Sequence, residues 1–129
     1  MTPFGKEIRK RRIDADITLS DMAKALDVPP SYLSAVELGD KPLSEALAKR
    51  IIDYLQSLPY FREHQLDVDY LIRVADRTRK TVAVDMKVLE DNQKEVVAAF
   101  ARKLPTLTIQ QRASITQKLE EWMKDTEDK

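Results

Sequence analysis

The 129-residue chain has no cysteine, two glycines, one histidine and no excess of either charge, with 22 Lys+Arg standing against 22 Asp+Glu. Without cysteine there is no disulfide scaffold, no thiol nucleophile and no thiolate-ligated metal. Two glycines, Gly5 and Gly39, cannot build a glycine-rich phosphate loop. No apolar run approaches the ~20 residues of a membrane helix, and no basic-then-apolar leader opens the sequence. The expected compartment is therefore cytoplasmic, with no membrane partner. A zero charge balance also argues against a general polyanion binder, which carries excess positive charge. Yet 43 % hydrophobic and 34 % charged residues make a folded globular chain, not a disordered one. The length suits a single domain, or a small domain of about 60 to 70 residues with an appendage.

The six prolines act as punctuation, because a helix interior accommodates proline poorly. Thr2-Pro3 reads as an N-cap and first helical residue, opening a helix to about Asp14 with Phe4, Ile8 and Arg12 at spacings of four. Thr18 caps a short second helix with Leu19, Met22, Ala23 and Leu26 on one side. A third starts at Pro29-Pro30-Ser31, carries Leu33, Val36 and Glu37 inward, and stops at Gly39. Only Leu26-Asp27-Val28 separates these two, which is a helix-turn-helix spacing. A fourth helix runs from Ser44 with Leu47, Ile51, Leu55 and Leu58. Tyr60 to Gln65 reads as a loop or partial turn, and Asp67 caps a fifth helix with Leu71, Ile72, Val74 and Ala75.

Residues 81–87 alternate apolar with polar or small residues and are rich in β-branched types, the pattern of a short strand. A lone strand leaves its backbone groups unpaired, and the same strand of a second copy is the simplest partner. Helices over about 91–103 (Val96, Val97, Phe100, Ala101) and 109–124 (Ile115, Leu119, Trp122, Met123) follow, the latter opened by a Thr108/Gln111 capping box. The expected fold class is mainly α: a five-helix domain over 1–78 and a dimerisation region over 79–129 with one short strand and two helices.

Arg12 and Glu37 both fall on inward stripes. Opposite charges are tolerated there only as a pair, since a buried charge left alone costs roughly 3–5 kcal/mol. An Arg12–Glu37 salt bridge is therefore expected.

The stretch Thr18-Leu19-Ser20-Asp21-Met22-Ala23-Lys24-Ala25-Leu26-Asp27-Val28-Pro29-Pro30-Ser31-Tyr32-Leu33-Ser34-Ala35-Val36-Glu37-Leu38-Gly39, followed by Pro42, resembles the lambda-repressor-like or Xre/Cro helix-turn-helix family. The resemblance covers roughly the first half of the chain, and it implies the same Arg12–Glu37 pair. It also implies a regulator of transcription, most simply a repressor, bound to double-stranded DNA at a palindromic operator as a homodimer. Thr18 and Leu19 would lie against phosphates, and the face that starts at Pro29 and carries Pro30, Ser31, Ser34, Ala35 and Leu38 would enter the major groove. Members of the family often carry Gln at 19 and Arg, Gln or Lys among positions 30, 35 and 38. This chain has Leu19, Pro30, Ala35 and Leu38, so direct readout rests on Ser31 and Ser34, on contact of Pro30 or Ala35 with thymine methyls, and on DNA shape. Asp16 and Asp27 stand where glycine is usual, so each must accept a left-handed backbone.

Read by segment, the neutral charge separates into patches. Lys6 to Arg12 holds five basic residues and one acid, whereas Ile13 to Tyr60 holds four basic and eight acidic residues. Phosphate contacts are expected from Lys6, Arg9, Lys10, Tyr32 and Lys41, with a solvated helix face as the competing reading of the first run. The basic stretch from Arg73 to Lys80 reads as solvated surface. His64 lacks convergent partners for metal or catalytic work. Ser114 and Lys118 have helical spacing, but too little chain follows the helix-turn-helix region for a β-rich self-cleaving protease domain. No enzyme and no cofactor is expected. The competing function is a protein-interaction module on the same scaffold, with a toxin or anti-repressor as partner, as in an antitoxin.

Overall fold

The computed structural model describes residues 1–127, and among them it is helical with irregular connections. The chain divides into two compact units, Met1–Ala83 and Val84–Lys129.

The first unit holds α1 (Pro3–Asp14), α2 (Leu19–Leu26), α3 (Pro30–Leu38), α4 (Glu45–Ser57), the single turn α5 (Tyr60–Glu63) and α6 (Val68–Thr78). Their ends follow from side-chain chemistry. The Thr2 hydroxyl accepts from Gly5 N, Ser44 from Leu47 N and the Asp67 carboxylate from Tyr70 N, each at 3.0 Å. Thr18 and Asp21 form a reciprocal capping box at the start of α2. Each of these bonds satisfies an N–H that a helix start leaves unpaired. Asp16 and Asp27 do adopt the left-handed backbone, at φ 58° and 56°, and Gly39 ends α3 at φ 92°. Short polar side chains enter that region at lower strain than most residues.

The core is one cluster. Phe4 and Ile8 of α1 meet Met22, Ala23 and Leu26 of α2, Leu33 and Val36 of α3, the buried stripe Leu47, Ile51 and Leu55 of α4, and Leu71, Val74 and Ala75 of α6. Ala23 is fully buried, which the close α2–α3 crossing requires. The last helix packs on both α1 and α4, and the Thr78 hydroxyl accepts from Phe4 N at 3.1 Å. Ile72, expected inward, is 45 % exposed, because α6 uses the stripe Leu71, Val74 and Ala75 instead.

The second unit contains α7 (Asp91–Lys103), a 3-10 turn (Leu104–Thr106) and α8 (Ile109–Glu127). The Thr108/Gln111 capping box forms as expected. The strand expected over 81–87 does not: residues 79–86 are irregular and 87–89 make a turn. Alternation and β-branching favour an extended chain, but a strand needs a ladder partner, and no other extended segment among the described residues supplies one. No residue of α7 is buried.

Candidate nucleic-acid interface

The end of α3 sits directly on the start of α1. Thr2 N donates to the Glu37 carbonyl at 3.0 Å, and the Thr2 hydroxyl donates to the same oxygen at 3.3 Å. Gly5 faces that carbonyl so closely that a Cβ there would lie 2.3 Å from it. Glycine at position 5 therefore permits the approach that orients α3 against α1.

The expected ion pair completes the joint. Arg12 Nη2 donates to both Glu37 carboxylate oxygens, at 3.0 and 3.2 Å, and both side chains are more than nine-tenths buried. Arg12 Nε is buried without a hydrogen-bond partner, so the pair uses one guanidinium nitrogen where a two-pronged pairing could use two.

This joint brings four exposed or half-exposed side chains to one hollow of about 320 Å³: Arg9 from α1, Leu19 from the first turn of α2, and Ser34 and Leu38 from α3, with Met1 at its rim and the buried pair at its floor. Arg9 also borders a second hollow with Lys6, Lys10, Ile13 and Asp14, so it adjoins both the mainly basic side of α1 and the exposed side of α3. Pro29, Pro30 and Ser31 are exposed at the start of α3, and Ala35 is half-buried beside Leu38. Thr18 is exposed, and its oxygen already accepts from Asp21 N. Tyr32 is half-buried and packs against the core.

Lys41 lies elsewhere, lining a different hollow with Thr2, Asp40, Thr78 and Lys80. Its position in sequence, just past α3, does not carry it to the Arg9–Leu38 hollow. Met1 was invisible to helical periodicity because it precedes the cap. Leu38 was legible as part of the outer face, and at 50 % exposure it is the largest apolar side chain there.

Other charges are committed to holding the unit together. The Tyr70 hydroxyl donates to Glu7 Oε1 at 2.8 Å, and Arg11 pairs with Glu7 and lies 5.9 Å from the Tyr70 ring centre. The bond from Tyr70, reinforced by Arg11 against the opposing effect of burial, holds the Glu7 carboxyl below its ordinary range; the same bond raises the Tyr70 pKa. Within the basic stretch 73–80, Arg79 departs from the solvated reading: its side chain is 8 % exposed and pairs with Asp76 at 2.8 Å and Glu45 at 3.5 Å. His64 stacks on Tyr60 at 4.1 Å and its Nδ1 lies 3.0 Å from the Tyr60 carbonyl. No group of three metal-ligating side chains occurs among the described residues, and no helix there is long and apolar enough to cross a membrane.

A helix-turn-helix family model matches residues 8–61, from within α1 to the start of α5. No curated protein and no solved structure matches the chain. The matched segment contains the buried Arg12–Glu37 pair, the α2–α3 turn and the exposed face of α3. Residues 8–61 are thus a helix-turn-helix domain of the Xre/Cro/C1 type, a DNA-binding regulatory family and not a family of enzymes.

Proposed function

We propose that the chain is a transcriptional repressor that binds a palindromic operator as a homodimer in the cytoplasm. The observation that carries this reading is that Arg9, shared with Lys6 and Lys10 in one hollow, also lines the hollow at the exposed face of α3 within a helix-turn-helix domain. Cations on α1 attract the phosphate backbone, and the α3 face reaches base edges. Thr18 and Leu19 at the start of α2, together with Pro29, Pro30, Ser31, Tyr32, Ser34 and Ala35, form the remainder of the proposed contact surface, with Lys41 as a peripheral phosphate contact.

One such domain reads a half-site, and a dimer spaces two of them by about 34–36 Å, one DNA turn. Dimerisation is assigned to the second unit, where Val96, Ile109, Trp122 and Met123 are all more than half exposed. Charge favours self-pairing of α8 in antiparallel fashion. Arg112 and Lys118 are the charged residues of residues 109–118, whereas Glu120, Glu121 and Asp125 dominate the residues that follow. Opposite halves therefore meet in a two-fold pair.

The test is a gel shift of duplex DNA from the chain's own upstream region across a salt series. Specific retardation that weakens steeply with salt is expected, and Lys6→Ala, Arg9→Ala and Lys10→Ala should each flatten the logarithmic slope by about one. Absence of any preference over unrelated duplexes throughout the salt series overturns the reading and favours a protein-interaction module. Sedimentation at micromolar concentration should give twice the chain mass; a stable monomer removes the dimer, and a heterologous complex of different mass points to a toxin or anti-repressor on the same face.

A further inference from the structure

The outward side of α3 carries Pro30, Ser31, Ser34, Ala35 and Leu38, and none of these can form a two-pronged hydrogen bond. Base pairs in the major groove differ in nitrogen and oxygen donors and acceptors and in one apolar group, the thymine C5 methyl. Purine edges are normally selected by the forked side chains of Arg, Asn or Gln, while serine hydroxyls bond to donors and acceptors alike. Of the two forks lining the hollow, Arg12 is buried and committed to Glu37, and the exposed one, Arg9, comes from α1 beside Lys6 and Lys10 rather than from α3. What the hollow does offer is apolar surface. Leu19 of α2 and Leu38 of α3 line it together with Met1, and Leu38 and Met1 are 50 % and 41 % exposed. Exposed apolar side chains scattered singly need no explanation, but three that share one hollow against a cationic flank fit a ligand that is apolar at its centre and anionic at its edge.

We propose that this hollow is a thymine-methyl reader: Leu19 and Leu38 select A·T pairs that present the methyl group to them, while Lys6, Arg9 and Lys10 hold the flanking phosphates. The inference rests on the DNA-binding reading above and shifts methyl recognition from Pro30 or Ala35, which the sequence suggests, to the two leucines that the α2–α3 geometry brings together. Leu19 is partly packed against the core, whereas Leu38 is not, so Leu38 is the position to vary.

The full chain is used to select its tightest site from a random duplex pool. That site is then resynthesised with deoxyuridine replacing each thymidine in turn, which removes one methyl and leaves the hydrogen-bonding edge intact. Loss of one or two methyls at the half-site centre is expected to weaken binding about fourfold each. In Leu38→Ala, the thymine-to-uracil ratio should collapse toward one at the position it contacts, while thermal melting confirms folding. A selected site that binds equally well with uracil at every position overturns the proposal and leaves DNA recognition standing. A ratio that survives in Leu38→Ala overturns the assignment to that residue. Failure to select any sequence, with non-specific binding alone, overturns the DNA reading and this proposal with it.

Discussion

Residues 1–83 and the unit from Val84 onward are built from the same materials, amphipathic helices with good caps, and differ in what those helices enclose. In the first unit Met22, Ala23, Leu33, Leu55 and Leu71 are fully buried, around a core shared by α1, α2, α3, α4 and α6. In the second, Val88 is 85 % exposed and Ile109 79 % exposed, and α7 contains no buried residue. Capping and propensity make a helix locally, but burial of its apolar face supplies most of its stability. The first unit finds that burial within one chain. The second presents apolar faces outward, which is the physical basis for assigning it an association role.

The sharpest way to break the first unit is through its buried charge. Glu37→Ala leaves the buried Arg12 without its carboxylate partner and should lower the unfolding free energy of the unit by about 3–5 kcal/mol in urea denaturation. Replacing both partners, as Arg12→Met with Glu37→Leu, should restore much of that stability. A single variant as stable as the parent would show that the pair is not the joint between α1 and α3.

Matched leucine truncations test the contrast itself. Leu55→Ala, at a fully buried site, should cost about 2–5 kcal/mol in the same measurement. Leu119→Ala, at a site 50 % exposed, should leave the unit 1 transition within about 0.5 kcal/mol and instead raise the concentration needed for self-association in sedimentation. If Leu119→Ala alters neither quantity, the exposed face of α8 has no role in association.

The smallest effect is electrostatic. Glu7 titrates below its unfolded value because the Tyr70 hydroxyl and Arg11 favour its ionised form. Its contribution is therefore fully present above the ordinary glutamate range and is lost as pH falls through the lower folded value. Tyr70→Phe should reduce that acid-side loss, read as a smaller difference in melting temperature between neutral and acid pH. An unchanged difference would place the acid sensitivity at other groups.

Much of the first unit was legible because its signals are local or periodic. Thr2, Thr18, Ser44 and Asp67 announce helix starts through hydroxyl or carboxylate groups that can accept from orphan N–H groups. Arg12 and Glu37 announce their pairing through spacing alone, since two inward opposite charges have few tolerable alternatives. Other features require neighbours that no local pattern names. Ile72 shares the apolar character of Leu71, and only the packing of α6 against α1 and α4 separates the two. Lys41 is near α3 in sequence and away from the hollow in space. The Glu7–Tyr70 bond spans 63 positions.

By itself the amino-acid sequence determined the helices, the left-handed turns at Asp16 and Asp27 and the family of the helix-turn-helix domain, because capping, spacing and backbone strain act over a few residues. It also determined that glycine, cysteine and charge would be too sparse or too balanced for several other chemistries. Only the tertiary structure decided that residues 81–87 stay irregular in one chain, that Gly5 lets α3 rest on α1, and that Arg9, Leu19 and Leu38 share one surface. Those outcomes depend on which backbone comes close to which, and close approach between distant segments is set by the packing of the whole core rather than by any one helix.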